Sequence, residues 1–372
     1  NIENIKKYIL SSSFLCNRES FSVLLRCIDG AINSRPLSFP YYLDIIQSIS
    51  DQIRSNFTSY ELFTDLIQNN YLRFKLYELG FIKLSTVLFY LKKNSNDLKL
   101  FFIFAFEVKS HDPFLYQSYT SQSSDFREYL SHISSEEHSI LRANGLNSEK
   151  VALLIRSNDA IEFQRLHSLT NFSVDMKVNS NYENRQFSEE TLSLIEYSAL
   201  FGSVEVFKYL LLNGATITKN LPKYAVTGGS YEIIHILEQR GSKFDNDDSL
   251  NAAIYHRRNE IVNYIVDTLE VDYSIEALRI SLKVYNLPIF FDILKKVDEA
   301  PVFEKPKMNL ITYSVQCGYV DIVRCFSKLI ENSDEKNRLL GVAVNFRRFD
   351  VFKYLHSSLI NEDNVKPNNN EL

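Results

Sequence analysis

One stretch constrains this chain more than any other: Tyr197–Ala215, read as Tyr-Ser-Ala-Leu-Phe-Gly-Ser-Val-Glu-Val-Phe-Lys-Tyr-Leu-Leu-Leu-Asn-Gly-Ala. It reads as a helix, a turn containing glycine, a second helix and a closing glycine. The acid that opens the second helix, Glu205, returns as Glu232 and Glu260. It returns again as Pro288 in place of the acid, then as Asp321 and Asp350, at intervals of about 27 to 33 residues. Glu162 begins the series, and the longer gap that follows it holds the Asn/Ser-rich insertion Asn171–Asn184. A chain that repeats a short helical unit must fold by stacking copies of it, because one helix pair cannot bury its apolar face alone.

Aligning on the acid brings other columns into line. Seven residues before it stand Ser198, Ala225, Ala253, Ser281, Ser314 and Ala343, all small enough to let neighbouring helices approach closely. One and two residues after it come apolar pairs such as Val206-Phe207, Ile233-Ile234 and Ile322-Val323. Five after it stand Leu210, Leu237, Ile265, Ile293, Phe326 and Leu355. The acid itself sits in the first turn of the second helix, at the positive end of the macrodipole. Three residues before it, Gly202, Gly229 and Gly318 occupy a turn that calls for positive φ; Arg257, Tyr285 and Arg347 stand there in the other repeats.

The pattern Ala-x-x-Gly-x-x-Glu-Val-x-x-x-Leu-Leu-x-x-Gly-Ala resembles the ankyrin repeat. The wording of Tyr224–Asp245 and of Ile254–Ile265 is similar to a divergent ankyrin family that is large in flagellate protozoan parasites. The resemblance implies an all-α, ankyrin-type solenoid that binds other proteins. Its Thr-Pro-Leu-His signature is missing from every repeat, and the units are shorter than the standard of about 33 residues, so the β-turn fingers are expected to be reduced. About six or seven units are expected over residues 148–362, after an N-terminal helical region at 1–147 and before a disordered tail at 363–372.

The N-terminal region reads as helical throughout. Tyr42, Ile45, Ile46, Ile49 and Ile53 keep one helical face, and Gly30 is expected to stop the helix before it. Leu98–Val108 is expected to be helical, like its neighbours, and the Ser-rich segment Gln117–Ser124 to be a loop.

No catalytic constellation stands out. The chain has no GxGxxG, P-loop, HExxH or GxSxG. Its cysteines, Cys16, Cys27, Cys317 and Cys325, form no CxxC pair and are expected to be reduced thiols, packed as small hydrophobes in a cytoplasmic protein. Neither a cofactor nor a metal is expected. The net charge of −5 and pI of about 5.9 disfavour nucleic acid. The longest greasy run, Phe101–Phe106, is too short to span a bilayer.

The function expected is therefore a non-enzymatic scaffold that grips a protein partner with a concave face. Polar residues on the first helices are expected to point outward and line that face: Glu196, Lys223, Asn251, Arg279 and Thr312, with Tyr255 as an aromatic anchor. The basic turn residues His256, Arg257 and Arg258 could hold an acidic segment, or be simply solvated. The alternative is an enzyme or enzyme-regulatory subunit with its activity in residues 1–147.

Overall fold

The computed structural model describes residues 2–178, 180–183, 191–244, 247–298, 306–327 and 333–363. Among these the only strands are Lys177–Val178 and Leu192–Ser193, an antiparallel pair in register Lys177 to Ser193. Everything else that is regular is helix, and the fold is an all-α helical repeat. The expected tail lies outside the described residues from 364 on; Asp363 still belongs to the last helix.

Seven helix pairs follow one another among the described residues. Repeats 1 to 4 are Lys150–Arg156 with Ala160–Thr170, Leu194–Leu200 with Val204–Leu212, Leu221–Gly228 with Tyr231–Gln239, and Asp247–Tyr255 with Asn259–Thr268. Repeats 5 to 7 are Ile275–Lys283 with Leu287–Asp298, Pro306–Cys317 with Val320–Phe326, and Ser333–Asn345 with Phe349–Asp363. The chain forms two compact units. One comprises residues 1–15 and 24–271, with repeats 1 to 4; the other comprises 16–23 and 272–372, with repeats 5 to 7.

The small column is fully buried in all six repeats where it was aligned: Ser198, Ala225, Ala253, Ser281, Ser314 and Ala343 expose nothing. Serine is tolerated there because each hydroxyl donates to a carbonyl of its own helix, Ser198 to Ile195, Ser281 to Leu278 and Ser314 to Leu310, at 2.7–2.8 Å. The joint between repeats 6 and 7 shows how a layer is filled. Ile311, Val315 and Val323 from repeat 6 cluster with Leu339, Ala343, Val351 and Leu355 from repeat 7.

The turn residue has positive φ in every repeat, at 66° and 81° in Gly202 and Gly229 and at 51°, 55° and 55° in Arg257, Tyr285 and Arg347. In repeat 1 that residue is Asn158, with φ 54°. The acid's column in repeat 1 is therefore Ile161, one residue before the Glu162 of the sequence alignment. Asp159 caps this helix by accepting from the Glu162 backbone N–H, which draws Glu162 in as the third helical residue.

Several local expectations are corrected in the N-terminal region. Gly30 does not stop its helix, which runs Arg18–Ser34, because Ile28 and Ile32 on either side of it are buried in the core. The helical face around Ile45 is split into Phe39–Ser48 and Ser50–Asn56. Gln117–Thr120 is helix, not loop: Asp112 caps Pro113–Thr120, and Tyr119 is anchored by stacking on Phe101 at 4.5 Å. Leu98–Val108 is helical, as two short pieces that meet at Phe104. Cys16 and Cys325 are exposed, so packing does not account for either.

Candidate protein-binding face

The first helices of repeats 2, 3 and 4 pack in sequence, Leu194–Leu200 on Leu221–Gly228 and that on Asp247–Tyr255. The candidate residues of the first compact unit lie along this row, but not all point to solvent. Glu196 is buried at 8% exposure in a capping box. Its Oε2 accepts from the Ser193 backbone N–H at 2.9 Å and its Oε1 from the Thr218 hydroxyl at 2.6 Å. A carboxylate used up in this way is a structural cap, and the outward placement read from the sequence is corrected. Lys223 and Asn251 are half-buried, and Tyr255 is half-buried with its phenol pKa raised by burial and by Asp29.

His256 is 1% exposed. Burial, then the positive charges of Arg258, Arg35 and Lys223, push its pKa down to about 3, so it is neutral at physiological pH. Arg257 points a guanidinium nitrogen at the Cys27 sulfur, 3.7 Å away. Arg258 is not a solvated turn residue. Its Nε and Nη2 donate to the Thr227 carbonyl at 3.0 and 2.9 Å, and Nη2 also to Gly228 at 3.0 Å. These are orphan carbonyls at the C-terminal end of the first helix of repeat 3, and Arg258 closes them from repeat 4.

The same job recurs two residues before the acid column in other repeats. Ser203 donates to the Ile155 carbonyl at 2.5 Å, Tyr319 to Lys283 at 3.0 Å, and Arg348 to Gln316 at 2.7 Å. Each bond runs from the turn of one repeat back to the first helix of the repeat before it. This clamp column was missed in the sequence because Ser, Arg and Tyr share no residue class. The shared property is a donor long enough to reach.

In the second compact unit the first helices carry a different surface. The Arg279 side chain is half exposed; it pairs with Glu276 at 3.2 Å and lies over the Tyr313 ring at 4.9 Å. Arg338 is exposed and donates to the Thr312 hydroxyl at 3.2 Å. Arg279 and Tyr313 link repeats 5 and 6, and Thr312 and Arg338 link repeats 6 and 7. Tyr313 and Arg338 were missed in the sequence; each stands one helical turn or less from a column that was aligned.

The insertion after repeat 1 packs into the structure through two of its residues. Tyr182 and Glu183 are buried. Glu183 accepts from the Tyr197 hydroxyl at 2.6 Å and lies 3.9 Å from Arg156, and its carbonyl accepts from Lys99 at 3.0 Å. Tyr182 meets Nδ1 of the buried His138 at 3.0 Å. The insertion thus ties repeats 1 and 2 to the N-terminal helices. Asn184, at its end, lies outside the described residues.

Beside it, a cavity of about 490 Å³ is lined by Asp125, Glu128, Tyr129, His132, Ile133 and Glu137. No group of three His, Cys, Asp or Glu among the described residues is arranged to hold a metal ion. No helix among them is long and apolar enough to cross a membrane.

A family described as a domain of unknown function, DUF3447, matches residues 212–293. Among solved structures, the human ASB11 ankyrin repeat domain is similar at 14% identity and a TM-score of 0.34, over 50% of this chain and 85% of that one. No curated protein matches the chain.

Proposed function

We propose that the protein is a non-enzymatic scaffold that binds another protein through the first-helix face of its repeats. The observation that carries this is the Arg279–Tyr313 pair, an exposed guanidinium held over an aromatic ring 4.9 Å away, on a surface built by successive repeats. Arg and Tyr supply much of the energy at protein interfaces, and stacking fixes the guanidinium before a partner arrives. Thr312 and Arg338 extend the same surface by one repeat. In the first compact unit the reading keeps Lys223, Asn251 and Tyr255 as candidate contacts on that unit's own first helices. Glu196, His256, Arg257 and Arg258 serve the fold around them.

Affinity capture from a native lysate tests this, with the full chain and its Arg279→Ala/Tyr313→Ala variant as parallel baits. A protein recovered by the first and lost by the second, at an unchanged melting curve, supports the reading. Equal recovery by both baits rejects it.

A further inference from the structure

The acid column gives the second helices of repeats 2, 3 and 4 the exposed residues Glu205, Glu232 and Glu260. In repeats 2 and 6 a cation three residues on answers the acid. Lys208 lies 3.2 Å from Glu205 on its own helix and 2.5 Å from Glu232 on the next repeat. Arg324 lies 3.2 Å from Asp321. Glu260 has neither kind of partner. The residue three places on in its own helix is Asn263, which carries no charge. The residue that matches Lys208 in the preceding repeat is His235, whose Nδ1 meets Glu238 at 2.9 Å instead. None of the described residues forms an ion pair with Glu260.

Aromatic rings stand beside this carboxylate. Tyr231, His235 and Tyr264 cluster across repeats 3 and 4 with centroids 5.6–6.4 Å apart, Tyr264 nearly perpendicular to the other two. The Tyr264 hydroxyl donates to the Glu238 carboxylate at 3.0 and 3.1 Å, so Glu238 fixes both Tyr264 and His235. A carboxylate only accepts, so the His235 Nδ1 carries a hydrogen. Tyr231 is 37% exposed. Burial, then the nearby Glu260 charge, raises its phenol pKa. Ring surface thus meets solvent next to a carboxylate that no cation of the described residues answers.

We infer that this patch of Tyr231, His235, Tyr264 and Glu260 docks an arginine side chain of a partner protein. The chain supplies its own cation between repeats 2 and 3; between repeats 3 and 4 the cation comes from outside. Arginine fits better than lysine, because a planar guanidinium lies flat on a ring while two of its N–H groups bond a carboxylate. The chain makes the same trio internally, where Arg279 lies over Tyr313 and pairs with Glu276. The inference does not depend on what the first-helix face binds.

Fluorescence anisotropy tests it, with the full chain and a labelled octapeptide of alternating arginine and glycine as the probe. Replacing the arginines of the probe by lysines should weaken binding roughly threefold or more. Tyr231→Ala and Glu260→Gln should each weaken it about tenfold. Both positions are exposed, so circular dichroism should not change. Glu205→Gln removes the same charge where Lys208 already answers it, and should leave the affinity within about twofold. No binding at up to about 0.2 mM protein overturns the inference. So does full affinity in either Tyr231→Ala or Glu260→Gln, or equal affinity for the two peptides. An equal loss in Glu205→Gln overturns it too, since the attraction would then be one of diffuse charge.

Discussion

The guanidinium of Arg258 closes the carbonyls of Thr227 and Gly228, which belong to the repeat before its own. The bond is charge-assisted and shields helix-end carbonyls that would otherwise lack a donor. Arg258→Ala should cost about 1–3 kcal/mol in urea unfolding. Loss of less than about 0.5 kcal/mol would mean that water replaces the clamp without penalty.

Arg347 holds φ at 55°, a left-handed conformation that disfavours any residue with a Cβ. Its side chain is exposed. Arg347→Gly should therefore raise stability, by about 0.5–1 kcal/mol. The same change at Asn337, exposed in the middle of the helix Ser333–Asn345, should lower it. A melting-temperature comparison of the two glycine variants separates turn strain from a general effect of glycine.

Glu183 is 1% exposed and faces Arg156, whose side chain is 7% exposed. Glu183→Ala leaves that cation without its counter-charge and frees the Tyr197 hydroxyl. It should cost about 3–5 kcal/mol. The double variant Glu183→Ala/Arg156→Met should recover part of the loss. If the double variant is the sum of two separate losses, the pair is not coupled.

Acid should destabilise the fold in a defined window. Burial, then Arg142, depresses the pKa of His138 to about 4, and that of His256 lies at about 3. The unfolded chain takes up these protons near pH 6.5 and the native one does not, so stability is lost as pH falls below that value. Asp29 acts the other way. Burial raises its pKa to about 6, against backbone donors at Gln68 and Asn69, so it favours the fold as pH falls toward 4. Two histidines outweigh one carboxyl, and the net loss between pH 7 and pH 5 should be about 2–3 kcal/mol. His256→Leu should flatten the profile by about 2 kcal/mol over that range, measured by urea midpoints; an unchanged slope would show that His256 titrates normally.

The column of small residues was legible because a closely packed helix contact limits side-chain volume directly, and Ala253 or Ser281 cannot be exchanged for something larger. The clamp column was not, because only its reach and its proton are constrained. The anchoring of the insertion was not legible for a related reason. Its Asn/Ser composition describes most of its length, while two residues, Tyr182 and Glu183, do the anchoring. At Gly30 and at Gln117–Thr120 local propensity pointed away from helix, and buried neighbours on either side overrode it. Of the candidate face, Arg279 and Thr312 were legible from their columns. Their partners Tyr313 and Arg338 were not, because a stacking pair between repeats has no spacing along the chain. The burial of Glu196 follows from Thr218, which lies in a connection that no column describes.

The donors that stand two residues before the acid column reach backward along the chain. Ser203, Arg258, Tyr319 and Arg348 each finish a helix made earlier in the sequence. In repeats 5 to 7, a repeat that opens at the C-terminal side thus withdraws a bond from its predecessor, whereas one that opens at the N-terminal side takes away only the target of its successor's clamp. Unravelling is therefore polar: amide exchange should be fastest in repeat 7 and slow progressively toward repeat 5, like a row of buttons undone from one end.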